Sequence, residues 1–353
     1  TTISFIVIYG VYKTRKFNTS NDHLKGGGSA NWLTIGLSVM ATQASAITFL
    51  STPGQAYNDG MGFVQFYFGL PLAIIVICMV FIPIYHKLKV YTAYEYLEKR
   101  FDRKTRTLAA ILFLIQRGLA AGITIFAPAI ILSTILGWDL KLLNLTIGLL
   151  VIFYTVSGGT KAVSITQKQQ MFVIMSGMII AFAIILNSFP ENLNFTEAIK
   201  MAGIGGKMEI IDFSLDIDKR YTFWSGIIGG TFLALSYFGT DQSQVQRYLS
   251  GKSVKESQMG LIMNGLLKVP MQFFILLVGV MVFVFYQFNE SPLNFNPTAI
   301  EDVRNSEFAA EFNQLEIDKK EIELAIKDKQ LLYFKAENII DKKNILWKGI
   351  FLW

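Results

Sequence analysis

Two cations stand where charge is expensive. Arg117 is the only Asp, Glu, Lys or Arg between Leu108 and Leu136, and Lys268 is the only one between Leu261 and Phe288. An unpaired charge at the centre of a bilayer costs at least about 2.5–3.5 kcal/mol, so each needs a partner or a task. The planar fork of Arg117 suits a carboxylate; its stem also lets it snorkel to the cytoplasmic interface. Lys268 would meet a carboxylate or a helix end, and Asp241 is a candidate structural partner for a cation. A second group is uncharged. Ser38, Thr42, Gln43, Ser45, Thr48, Ser51 and Thr52 crowd one otherwise apolar stretch, which ends in Pro53-Gly54. No enzyme-like constellation accompanies these residues. His23 and His86 lie in basic loops, away from any carboxylate pair, and the single Cys78 excludes an internal disulfide or a Cys metal site. Gly26 to Asn31 reads GGGSAN, follows a polar linker and lacks the lysine of a phosphate-binding loop, so nothing here uses ATP.

The elements that must position these residues are apolar spans. Hydrophobic residues make up 52% of the 353 and charged residues 16%, against about 25% charged in a soluble domain; the mean hydropathy is +0.42. Trp32 to Thr52, Phe63 to Ile84, Leu108 to Leu136, Leu143 to Val156, Met171 to Leu186, Trp224 to Phe238 and Leu261 to Phe288 give seven spans. Most match the roughly 20 residues that cross a bilayer, and shorter or broken helices are tolerated where protein buries them. Thr1 to Tyr9 reads as the end of another span and Ile345 to Trp353 as the start of one, so the chain is expected to be a piece of a longer protein.

Lys and Arg cluster in the loops at 10–31, 86–107, 157–169 and 239–259, whereas the short loops opposite carry Lys141 alone. That asymmetry puts the first set in the cytoplasm of a cell bounded by this inner or plasma membrane. The net charge of +6 therefore reflects topology and is no sign of nucleic acid. Two outer segments are long: 187–220, and 289–344, where Leu315, Leu324, Ile326 and Leu331 recur at loosely helical spacing among acids and lysines. The second predicts an amphipathic helix or short hairpin outside the membrane, either a solvated loop or a partner-binding arm.

Among the spans, the first and the sixth are interrupted. The first carries the hydroxyl cluster; the sixth carries Gly226, Gly229, Gly230 and Ser236, with Gly239 after it. Interrupted spans five helices apart are what an inverted five-plus-five repeat produces, and broken helices free carbonyls that coordinate Na⁺ near the midplane. Small residues at these positions also serve ordinary helix packing.

Four stretches in order carry a family resemblance: ANWLTIGLSVMATQASAITFLSTPGQAYNDGM, VYTAYEYLEKRFDRKTR, GLLVIFYTVSGGTKAVSITQKQQ and LSYFGTDQSQVQRYLSGKSVKESQMGLIMNGLLKVP. Together they resemble the sodium:solute symporter family, the group of sodium/glucose, iodide, proline, sialate and vitamin transporters, over roughly residues 5 to 288. The resemblance implies an all-α membrane protein with a leucine-transporter-like five-plus-five inverted repeat. Here it is truncated after core helix seven: 1–288 holds the end of the leading helix and core helices one to seven, 289–344 the charged extracytoplasmic loop, and 345–353 the start of the next helix.

It also implies a site. The carbonyls of Ala41 and Ala44 would hold Na⁺, together with core helix eight ligands that this chain lacks. Gln167 stands where some relatives have an Asp that supports a sodium path, which favours one Na⁺ per solute. The solute would lie beside Ser45 and Thr48, three residues apart and on one helix face with Ala41 and Ala44. Tyr67, Arg117, Tyr237 and Lys268 complete the expected binding set, with Tyr237 matching the aromatic that closes the site on the inside. Four contacts of the sugar-carrying relatives read here as Thr48, Tyr67, Ala120 and Ala234, which argues against a neutral hexose and for a small organic anion or acidic sugar derivative. The leading expectation is a secondary active symporter whose partners are Na⁺, a small organic solute and membrane lipid. The alternatives are the membrane domain of a sensor protein and a passive channel.

Overall fold

Asn31 starts the first helix by accepting the Thr34 amide N–H on its side-chain oxygen at 3.0 Å, which satisfies one of the orphan donors of the first turn. Helix α1, Trp32–Gln43, then runs until Ala44 leaves helical geometry at ψ 78°. The chain resumes as a π-helical turn, Ile47–Ser51, and α2, Thr52–Asp59, with Pro53 in its first turn where its missing N–H costs nothing. The two halves meet at 68°, so the first span is broken in its middle, at the cluster of hydroxyls. The computed structural model describes residues 28–45, 47–191 and 193–335, apart from the side chains of 154, 156–162, 164, 165 and 326–335. Thr1 to Tyr9, the basic residues up to Lys25, His23 and Ile345 to Trp353 lie outside the described residues.

A 3₁₀ turn, Met61–Tyr67, leads into α3, Gly69–Val76, which passes through a π turn, Ile77–Phe81, into α4, Ile82–Leu88. Short α5, Ala93–Arg100, precedes α6, Arg103–Leu136. Next comes α7, Leu140–Asn187, a single helix of 48 residues. The sequence suggested two spans here with a cytoplasmic loop at 157–169; the structure draws them as one helix. The only breakers in that stretch are Gly158 and Gly159, each worth about 1 kcal/mol, and a helix tolerates that where nothing packs to fold it back. Leu142, Leu145, Leu149, Ile152 and Phe153 are all exposed.

Beyond α8, Phe195–Ile204, a π turn Ser225–Gly229 opens α9, Gly230–Gly239. The sixth span is thus continuous through its glycines and interrupted only after Gly239. At Thr240–Asp241 the chain breaks and restarts as α10, Gln242–Leu249, with Gln244, Val245, Tyr248 and Leu249 buried. This segment was expected as a cytoplasmic loop. It is instead a helix docked against α1, and beside it Ala30 bridges to the chain at Ser250–Lys252 by hydrogen bonds of 3.1 Å on both sides.

Helix α11, Val254–Tyr286, is the strut that crosses the break. A Cβ on Gly260 would run into Ile35 on α1, and one on Gly279 into the Pro53 carbonyl on α2. Such backbone contact is how membrane helices pack without a hydrophobic driving force between them. α3 and α9 approach the same way, with the Gly69 backbone on that of Gly230 and Thr231. Ile35, Val39, Leu70, Ile74, Phe238 and Leu261 close the core on one side of the break. Met61, Met201, Leu276, Met281 and Val284 close it on the other.

Among the described residues, four helices are long and apolar enough to cross a membrane, five with the bent first pair, and Leu140–Phe153 and Ser225–Gly239 are shorter apolar stretches of helix. The charged segment after α11 contains α12, Pro297–Arg304, and α13, Ala309–Lys335, tied by Arg304 to Glu316 at 3.0 Å.

Candidate functional site

The break in α1, the end of the 3₁₀ turn, α9 and α11 surround a cavity of about 280 Å³. Gln43 closes α1, Tyr67 ends the 3₁₀ turn, Ala234 and Tyr237 stand three apart on one face of α9, and Lys268 comes from α11; all line it. Its walls are otherwise apolar, with Phe66, Leu70 and Phe238 among them.

Lys268 is 2% exposed. Its ammonium sits 5.7 Å from the centre of the Tyr67 ring, and no carboxylate pairs with it among the described residues. Asn264 and Gln272, one turn before and one turn after it, are fully buried too. Both amides, like the Gln43 Nε2, lack a hydrogen-bond partner among the described residues. Buried polar groups are nearly always satisfied, so this stripe on α11 stands out. Its height follows from the contacts that fix α11: Gly260 lies at Ile35 and Gly279 at Pro53, which puts Lys268 and Gln272 level with the break.

Of the residues expected to bind the solute, Tyr67, Tyr237 and Lys268 share this cavity. Ala41, Ala44, Ser45 and Thr48 form a second group at the break. Ala44 donates its amide N–H to the Ala41 carbonyl at 3.2 Å and to the Met40 carbonyl at 3.0 Å. Thr48 donates its hydroxyl to the Gln43 carbonyl at 3.1 Å, so Gln43 joins the two groups through its backbone and its side chain. The common helix face assumed for Ser45 and Thr48 is not formed, because the helix ends before them.

Arg117 belongs to neither group. Its guanidinium is ion-paired to Asp241 and stands 5.5 Å from the centre of the Tyr237 ring. One nitrogen of the fork holds Asp241, and Nε has no partner among the described residues; Arg117 does not line the 280 Å³ cavity and borders it only through Tyr237. A larger cavity of about 540 Å³ opens beyond Tyr237, with Tyr85, Tyr94, Gln116 and Asp241 in its walls; Leu233 and Tyr237 line both cavities.

Gln167, on α7, accepts a hydrogen bond from Ser38 at 2.7 Å and donates one to Thr42 at 3.1 Å. The sequence offers Gln43 only as one of the polar residues before Pro53, and Asn264 and Gln272 carry no charge to single them out. The spacing of four between Asn264, Lys268 and Gln272 was a readable signal of one polar helix face.

The sodium:solute symporter family matches residues 23–312. The human sodium-coupled monocarboxylate transporter 2 is 32% identical over 261 residues, 74% of this chain and 42% of that protein. The human sodium/iodide cotransporter is 33% identical over 272 residues, 76% of this chain and 41% of that protein. The mouse sodium-coupled monocarboxylate transporter 1 is 36% identical over 259 residues, 73% of this chain and 42% of that protein. The alignments thus take in less than half the length of these curated relatives. Among solved structures, the substrate-bound outward-open state of a Na⁺-coupled sialic acid symporter superposes with a TM-score of 0.75 at 26% identity, covering 99% of this chain and 77% of that one. With its broken first helix, its α11 strut and the cavity between them, this chain belongs to the sodium:solute symporter family.

Proposed function

We propose that the protein containing this chain is a sodium-coupled secondary active symporter of the inner or plasma membrane that carries a small organic anion into the cell by alternating access. The observation that carries the anion is Lys268: a buried ammonium with no carboxylate partner among the described residues, lining a cavity of solute size. A carboxylate placed there would supply the missing counter-ion. One hydrogen bond to a charged group is worth about 1.5–3 kcal/mol, a preference of roughly ten- to hundredfold over a neutral analogue.

In this reading Tyr67, Tyr237 and Lys268 contact the solute together with Gln43, while Ser45 and Thr48 offer hydroxyls from the break. Na⁺ travels as cargo. It is held in part by the carbonyls of Ala41 and Ala44, each of which keeps a lone pair whatever its helix bonds, since oxygen dipoles replace its water shell. The names of the relatives, monocarboxylate, iodide and sialic acid, all denote anions, which supports the same choice. The sensor reading draws no support from relatives that are transporters by name.

The test is uptake by the full-length protein in proteoliposomes under an inward Na⁺ gradient, with lactate, iodide, sialic acid and glucose as the panel. At least one anion should accumulate and glucose should not, and Lys268→Gln should remove the anion preference. Accumulation of glucose alone, or an anion preference intact in Lys268→Gln, would refute the anion reading.

A further inference from the structure

We infer that the Arg117–Asp241 ion pair is a latch that holds Tyr237 across the inner end of the solute cavity and has to open for the solute to leave. This rests on the reading of the 280 Å³ cavity as the solute site.

Tyr237 and Leu233 are the wall between that cavity and the 540 Å³ cavity beyond it. Tyr237 is held from two directions. Gln244 on α10 donates to its hydroxyl at 2.9 Å, and the Arg117 guanidinium lies 5.5 Å from its ring centre. Arg117 is itself placed by Asp241. The other oxygen of that carboxylate accepts from the Ser243 amide at 2.9 Å and the Ser243 hydroxyl at 2.6 Å, capping α10. One carboxylate therefore ties α6, the end of α9 and the start of α10 together, and α10 docks on α1 below its break.

The exposure of the pair suits a switch. The Asp241 side chain is 9% exposed and that of Arg117 30%. A fully buried pair opens only at the cost of two desolvated charges, and a fully exposed one holds almost nothing. Asp241 lines the larger cavity, which supplies room for water beside the pair, so the charges can part and be solvated. The latch makes Arg117 and Asp241 positioning residues that act through Tyr237, with no contact to the solute required.

The test is cysteine accessibility in full-length protein with every native cysteine, Cys78 among them, replaced by Ala as background and Ala234→Cys as reporter in the solute cavity. Inside-out vesicles in saturating Na⁺ are exposed to a membrane-impermeant maleimide. Asp241→Asn keeps an oxygen for the Ser243 cap and loses only the charge, so α10 stays capped. Asp241→Asn, Arg117→Gln and the double neutral variant, which leaves no unpaired charge, should each label at least about tenfold faster than the latched protein, the loss expected for one charge-assisted bond. Unchanged labelling in the neutral variants overturns the latch. The readout needs no solute, so a failed latch leaves the solute reading standing, and a failed solute panel leaves the labelling result standing.

Discussion

The Ser38 hydroxyl donates to the side-chain carbonyl of Gln167 at 2.7 Å. The same amide donates to Thr42 at 3.1 Å, so one neutral side chain bridges two hydroxyls of α1 just before its break. An aspartate there would add a negative charge that attracts a cation; the amide adds none, and its oxygen already accepts from Ser38. Transport by the full-length protein should therefore rise with Na⁺ with a Hill coefficient of about one, the value for a single site. A coefficient approaching two would contradict this account of Gln167.

The glycines of α11 test the packing around the break. A Cβ on Gly279 would overlap the Pro53 carbonyl, a backbone atom that cannot move aside, whereas Gly229 has open space around it. Gly279→Ala should lower the thermal midpoint in detergent by several degrees, as overpacking of about 1–3 kcal/mol does. Gly229→Ala should leave it unchanged. Equal midpoints for the two variants would show that α11 does not bear on α2 as described.

Topology gives a sharper outcome. The positive loops place Ser253, which caps α11, in the cytoplasm, and Ser306, in the charged segment after α12, outside. A cysteine at Ser306 should react with impermeant maleimide in intact cells, and one at Ser253 should not. The reverse pattern would invert the protein in the membrane.

The segment 187–220 carries a pH signature. Lys219 bonds the Asp212 carboxylate at 2.7 Å, with help from Ser214, and holds its pKa down to about 2; the same pair raises Lys219. A depressed carboxylate stabilises the folded form above its unfolded value of about 3.9 and loses that contribution as pH falls through its folded value. A raised lysine keeps its contribution below its unfolded value of about 10.4. The segment should thus be insensitive to pH between about 5 and 8 and loosen below about 4. A spin label at Leu215, which is 80% exposed, should show constant mobility in the first range and faster motion in the second. A mobility change between pH 5 and 8 would exclude the pair as its anchor.

The sequence made some of this legible. Hydroxyls crowded before Pro53-Gly54 announced the break in α1, because such side chains compete for backbone bonds and proline starts a new helix. The spans were readable from length and apolarity. What stayed hidden depends on neighbours distant in the chain. QSQVQRYL is polar enough to pass for a loop; docking on α1 and α11 and hydrogen bonds to Tyr237 and Phe238 of α9 bury Gln244 and Tyr248. The partner of Arg117 lies 124 positions away, so the sequence left the cation open to either a solute or a protein carboxylate. Asn264 and Gln272 carry no charge, so nothing in their residue types singled them out, although they stand one turn to either side of the buried Lys268.

The measurement that bears most directly on the central claim is simultaneous flux of radiolabelled Na⁺ and a transported anion into proteoliposomes holding the full-length protein. Sodium-coupled symport predicts that the anion accumulates only while the inward Na⁺ gradient lasts, that Na⁺ enters with it, and that both stop when an ionophore collapses the gradient. Accumulation that continues in the absence of Na⁺ would contradict it.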